Sequence, residues 1–203
     1  MAVLPKISAQ EPATVHQASV PDQQAPPVGR FGVGVHALAP ATPGSDQIRT
    51  VFSRYAAAVG ALCAMVDGAP VGLVATSLAV GISYDPPLIT FSCRKESATW
   101  PVLRAAPRIG VSVLGQGQGA ICRRIAGPAA QRFGGFPMHE TPEGALFLKY
   151  AMSWLDCRIS AEVEAGDHVI VVLEVVEVGH DRATAPLIFL DGRFHSLRES
   201  LSA

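Results

Sequence analysis

Charge is scarce in this chain and favours neither sign: sixteen lysines and arginines face seventeen aspartates and glutamates among 203 residues. A net charge of −1 leaves no electrostatic footprint for a polyanion, so nucleic acid is not an expected partner. Paired cysteine spacing is missing as well. Cys63, Cys93, Cys122 and Cys157 are scattered with no C-x-x-C. That argues against a disulfide framework or a zinc site and for free thiols in a reducing cytosol. The histidines show no H-x-x-x-H or carboxylate spacing, so no metal is expected. There is no G-x-S-x-G, and nothing pairs a serine or cysteine with a histidine. The N-terminus lacks a basic segment followed by an apolar run, so the expected location is cytoplasmic.

Apolar surface is what the chain has in surplus. Hydrophobic residues make up 49% and mean hydropathy is +0.29, which implies a face buried against a partner, most simply in a homodimer. Residues 55–84 carry a single charge, Asp67, and exceed the ~20 residues of a membrane-spanning helix. Against a span, Asp67-Gly68 with Pro70 reads as a hairpin turn, and Gly60, Gly72 and Gly81 interrupt any helix. No membrane partner is expected. Residues 1–45 hold seven of the sixteen prolines and four charged side chains. They read as a flexible extension ahead of a folded domain over 46–203. Within the extension Gly29–Gly34 looks glycine-rich, but no strand precedes it, so it reads as linker.

The chain is organised around residues 71–99. Two apolar runs, 71–75 and 88–91, are each followed by small hydroxyls: Thr76 and Ser77, then Ser92, Ser97 and Thr99. Asp85-Pro86-Pro87 forces an extended turn between them. Hydroxyls and free backbone N–H groups at strand ends suit an oxygen-rich ligand, and Arg94 and Lys95 add positive charge. This stretch reads as one wall of a phosphate-bearing cofactor site.

Around it the pattern is of strands. A short helix starts at Asp46, the expected N-cap, with Ile48, Val51, Phe52 and Tyr55 on one face. A hairpin of 59–66 and 71–76 crosses Asp67-Gly68, and 88–93 is the next strand. Ser97 or Thr99 caps a helix running to about Ala106. A strand at 108–114 and a short helix at 119–126 follow, then a mostly looped 127–150. Over 155–164 the period is two, with Leu155, Cys157, Ile159, Ala161 and Val163 facing the core and Asp156, Arg158, Ser160, Glu162 and Glu164 facing water. Gly166-Asp167 turns this into an apolar strand, 168–178, and Asp191-Gly192 makes a last hairpin. At least seven short strands joined by tight turns leave no room for the crossovers of a parallel sheet. The expected class is mainly β, an antiparallel barrel with two or three short helices.

Gly115–Ala120 matches G-x-G-x-x-G/A, but 121–140, with Pro128, Gly134, Gly135 and Pro137, cannot supply the second strand of a dinucleotide fold. It reads as a strand-to-helix turn. His168, at the mouth of the last long strand, is either a ligand-facing imidazole or a solvated turn histidine. Arg123-Arg124 and Gln131–Gly135, with Phe133 among them, form a basic region, either a solvated helix face or a loop touching a cofactor. Trp100 and Trp154 read as core.

Together these pieces resemble the flavin reductase-like family, the FMN-binding split barrels of two-component monooxygenase systems. The match runs over about 48–197 and in order: V-G-L-V-A-T-S (71–77), S-Y-D-P-P-L-I (83–89), S-A-T (97–99) and R-I-G-V-S-V-L (108–114) with Gln118. Q-R-F-G-G (131–135), G-D-H (166–168) and P-L-I-F-L-D-G-R-F (186–194) complete it. The resemblance implies a split β-barrel, FMN or FAD, and NADH or NADPH as electron donor. It places Ala75, Thr76, Ser77, Ser92, Cys93, Arg94, Lys95, Ser97, Ala98, Thr99 and Phe133 around the flavin. His168 is implied to position the nicotinamide rather than act as an obligatory acid. The implied activity is NAD(P)H:flavin oxidoreduction with reduced flavin passing to a monooxygenase. A flavin-binding electron carrier and a flavoenzyme with tightly bound FMN acting on its own substrate fit the same residues. Three positions depart from the pattern. Ser112 replaces a common asparagine, Leu173 a common glycine and Leu78 a common aromatic, changes expected to narrow the pocket or change the cofactor.

Overall fold

The computed structural model describes residues 40–197; Gly29–Gly34 and residues 1–39 lie outside them. In chain order the elements are α1 (Asp46–Ser53), β1 (Ala57–Ala58), β2 (Gly60–Val66), β3 (Ala69–Ala75), β4 (Ala79–Tyr84) and β5 (Pro87–Arg94). Then come α2 (Trp100–Leu103), β6 (Ile109–Val113), α3 (Gly119–Ile125), β7 (Met138–Glu140) and β8 (Leu146–Leu148). Two long strands, β9 (Ser153–Ala165) and β10 (His168–His180), and the hairpin β11 (Leu187–Leu190) and β12 (Arg193–Ser196) complete the chain.

Seven strands form one sheet in the order β3-β2-β6-β9-β10-β5-β4, and every neighbouring pair is antiparallel. A side chain closes the ring. Ser77, just past β3, accepts a hydrogen bond from Ser92 N and donates one to Ser92 O, each 3.0 Å, across to β5. One hydroxyl thus does what a backbone rung does elsewhere in the barrel. Asp67 and Gly68, both with positive φ (49° and 75°), make the tight turn between β2 and β3 that their residue types favour.

β2 is buried on both faces. Leu62 and Ala64 point into the barrel with Phe91, Ile109, Val111, Cys157, Val171 and Leu173. Ala61 and Cys63 face an outer cluster with Leu114, Ile125, Leu146, Leu148 and Leu187. Burial of this kind stabilises by ~1.5–3 kcal/mol per large apolar side chain. Glycine decides where strands cross closely. A Cβ on Gly110 of β6 would lie 2.5 Å from the Leu146 carbonyl oxygen of β8. The four cysteines are free and buried. Burial pushes the Cys63 and Cys157 thiols up to about 12.

Several expectations need correction. Ser45, rather than Asp46, caps α1, accepting from Ile48 N at 3.4 Å. The apolar face of α1 stays open, with Val51, Phe52 and Tyr55 exposed. α2 is one turn long, stopping at Leu103. The β7–β8 hairpin falls where a loop was expected, and β4 lies just ahead of the expected turn at Asp85-Pro86, in a stretch where no strand was expected. The even alternation over 155–164 breaks because Ser160 is a bulge: Leu173 pairs with Ile159 but Val172 with Ala161. Beyond it Glu162 lies on the Trp100 side and Val163 is exposed. Before it Asp156, expected in water, is buried in a two-pronged pair with Arg108 (3.0 and 3.2 Å).

Candidate functional site

The ends of β3 and β5, the turn after β5 and the start of β10 surround a cavity of about 790 Å³, within the ~300–1,000 Å³ usual for cofactor sites. Ala75, Thr76, Ser77, Ser92, Cys93, Arg94, Ser97 and His168 line it. Leu73, Val74 and Glu96 line it as well, and no sequence signal pointed to these three.

Strand register builds this arrangement. Arg94 and His168 are direct partners across β5 and β10, and Ser92 faces Ile170 one rung on. The intervening Cys93 belongs to the barrel core, and burial followed by the charge of Glu162 raises its thiol pKa. A protonated, enclosed sulfur is a poor nucleophile. Lys95 N donates to Asp167 O at 3.0 Å, pinning the G-D-H turn to the end of β5. His168 Nδ1 lies 2.8 Å from Asp167 Oδ1. A carboxylate only accepts, so Nδ1 carries the proton and Nε2 is the nitrogen left for other contacts. That hydrogen bond, and then the imidazole's charge, hold the Asp167 carboxyl below its ordinary range.

The hydroxyls sort by what they already do. Ser97 Oγ accepts from Trp100 N at 3.2 Å, ahead of Thr99, the N-cap residue of α2. Ser77's proton is committed to Ser92 O. The cations sort in the same way. Lys95 pairs with Glu164 at 2.9 Å and Arg104 with Glu162 at 2.6 Å, while Arg94 has no carboxylate partner among the described residues. Glu162 also accepts from Trp100 Nε1 at 2.7 Å, and Trp100 packs edge-on to Phe91 in the core.

Three residues expected here lie elsewhere, and a fourth, Thr99, stands two residues past Ser97 without lining the cavity. Lys95 lines a neighbouring cavity with Arg104, Glu162 and Glu164. Ala98 is exposed and outside the cleft lining. Phe133 lines a separate cavity with Arg123, Arg124 and Gln131. Thr99 is half-buried, and its Oγ1 accepts from Arg132 at 2.6 Å. The three departures from the family pattern also sit away from the cleft. Ser112 is buried and accepts from Leu148 N, Leu173 is core, and Leu78 lines an apolar cavity of about 410 Å³. Gln118, in the glycine-rich turn, is structural: its side chain accepts from Gly115 N and donates to Lys149 O.

An antiparallel barrel closed by a side-chain seam, with hydroxyls and an unpaired arginine beside that seam, defines a split barrel built for a phosphorylated cofactor. The chain belongs to the flavin reductase like domain family, whose model matches residues 52–198. A flavin reductase of Pseudomonas putida is 31% identical over 147 residues, covering 72% of this chain and 86% of that protein. The reductase subunit HsaB of a flavin-dependent monooxygenase from Rhodococcus jostii is 28% identical, covering 73% and 75%. Among solved structures, the NADH:FAD oxidoreductase SgcE6 of Streptomyces globisporus C-1027, in complex with NAD and FAD fragments, superposes with a TM-score of 0.73. It is 28% identical, over 81% of this chain and all of that one. No helix among the described residues is long and apolar enough to cross a membrane.

Proposed function

We propose that this chain is an NAD(P)H-dependent flavin reductase, acting on FMN or FAD and supplying reduced flavin to a partner monooxygenase. One observation carries the reading: hydroxyl donors, an arginine without a carboxylate partner and a histidine with a fixed tautomer line a single cavity. The matched relatives named as flavin reductases and monooxygenase reductase subunits support it.

When bound, a flavin would supply the redox chemistry, with the nicotinamide as the hydride donor. The chain's residues bind and orient. Arg94 supplies charge for the phosphate, and the Ser97 and Thr76 hydroxyls bind polar oxygens. His168 Nε2, acceptor in the neutral ring, receives the carboxamide N–H of the nicotinamide and so sets its distance and angle. We assign this work to the domain over 46–203, with 1–45 as an extension. Val80, Tyr84 and Val178 share the apolar cavity and are 63%, 88% and 75% exposed, which suits burial against a second copy of the chain.

The test is NADH and NADPH oxidation by purified protein with and without added FMN or FAD. Oxidation that depends on flavin is expected. No turnover with either flavin, in protein that carries none, rejects the reading. Sedimentation of the same preparation as a dimer is the expected result for the second-copy assignment, and a monomer rejects it.

A further inference from the structure

Arg132 makes three hydrogen bonds to three separate segments. Nε donates to Gly127 O at 2.9 Å, and Nη1 donates to Gly72 O at 2.9 Å and to Thr99 Oγ1 at 2.6 Å. It therefore sits where β3, the turn ahead of α2 and the loop after α3 meet. Gly72 also leaves space for Phe133, the residue after Arg132, to pack against β3. A Cβ there would meet Cys63 Sγ at 2.5 Å, Leu62 O at 2.8 Å and Phe133 Cζ at 3.0 Å.

All three acceptors are uncharged, and no carboxylate of the described residues pairs with Arg132. Its positive charge is therefore left uncompensated, unlike those of Lys95 and Arg104. A guanidinium only donates, so Thr99 Oγ1 is the acceptor and the threonine's own proton must point elsewhere. Ser97 is in the same state, because its oxygen is taken by Trp100 N. Ser97 and Thr99 thus have oxygens fixed by N–H donors and protons left to give. No other acceptor for those two protons is found among the hydrogen bonds of the described residues. An acceptor-only dianion, a phosphate monoester, is the ligand such a pair fits. A neutral hydroxyl fits it far less well.

We propose that Arg132 is a positioning residue for the flavin phosphate: it orients the Thr99 hydroxyl as a donor and lends its charge through that hydroxyl, so that phosphorylated flavin is selected over riboflavin. This rests on the flavin-binding reading above and names the residue that gives the site its preference for a phosphate.

The experiment titrates the full chain with FMN and with riboflavin, following flavin fluorescence, for the parent, Arg132→Gln, Arg132→Lys, Thr99→Val and the Arg132→Gln/Thr99→Val double variant. The parent is expected to prefer FMN. Arg132→Gln should weaken FMN by about tenfold and leave riboflavin unchanged, as loss of one charge-assisted donor dictates. Arg132→Lys, which keeps the charge without the fork, should retain part of the preference. Thr99→Val should match Arg132→Gln, and the double variant should be no worse than the weaker single. Equal loss of both flavins in Arg132→Gln would show a purely structural clip and overturn the proposal. So would no loss of either, or a double variant that multiplies the two losses. Should Arg132→Gln fail to fold, Thr99→Ser against Thr99→Val decides. FMN preference kept by serine and lost with valine supports the proposal, and any other pattern overturns it. A parent that binds neither flavin refutes the functional reading itself and this inference with it.

Discussion

The two halves of β9, either side of the Ser160 bulge, treat charge in opposite ways. Before the bulge β9 lies between β6 and β10, and its acidic residue, Asp156, is buried and tied to Arg108 by two hydrogen bonds. Past the bulge it pairs with β10 alone. There Glu162 is half-buried and Glu164 lies in solvent, and they hold Arg104 and Lys95 beside the cleft. One strand thus serves a rigid closed end and an open end where polar groups stay available. Exposed pairs contribute little to stability, whereas a half-broken buried pair is costly. Damage at the closed end should therefore appear as lost stability, and damage at the open end as lost binding or rate.

The largest effect expected is at the closed end. Gly110→Ala sets a methyl 2.5 Å from a backbone carbonyl that cannot rotate away, and should cost at least about 4 kcal/mol in urea unfolding. Asp156→Ala leaves Arg108 without its partner. Because the arginine side chain is 19% exposed and can reach water, the expected cost is about 2–3 kcal/mol. At the open end His168→Ala should leave the urea midpoint unchanged and lower flavin-dependent NADH oxidation by about tenfold through loss of orientation. Unchanged turnover would remove His168 from the site. Ser77→Ala joins the two regions. It deletes the seam bonds to Ser92 and should cost about 1 kcal/mol, with faster amide exchange at Ser92.

At neutral pH the smallest effect comes from the buried thiols, whose contribution changes only in alkali. Cys63 and Cys157 hold their protons in the folded chain to about 12, while an unfolded thiol releases its own near 9.0. Their folded values are raised, so their contribution is complete below pH 9.0 and is lost progressively from there toward 12. Stability should begin to fall just above pH 9.0, and neither thiol should react with a thiol reagent at neutral pH.

Local chemistry made much of this legible. Asp67-Gly68 and Gly166-Asp167 announce hairpins because positive φ suits them, and the strands they join follow from the apolar periods on either side. The hydroxyls at 76, 77, 92 and 97 gather because strands β3 and β5 end together. Other parts turn on long-range partners. β4 is an edge strand almost wholly exposed, so neither alternation nor an apolar run marks it. β7 and β8 have three residues each, too short for any period. The bulge at Ser160 has no glycine to signal it, and it moved Glu162 from water to the side of Trp100. Thr99 looked like one more cleft hydroxyl. Its partner Arg132 lies 33 residues away in a loop whose packing depends on a gap at Gly72.

The central claim is most directly tested by mixing the purified chain with FMN and NADH without oxygen and following the flavin's visible absorption. The account predicts bleaching that requires the protein and is slowed when Thr76→Val and Ser97→Ala are combined. Bleaching at the same rate in that double variant, or none in the parent, would contradict it.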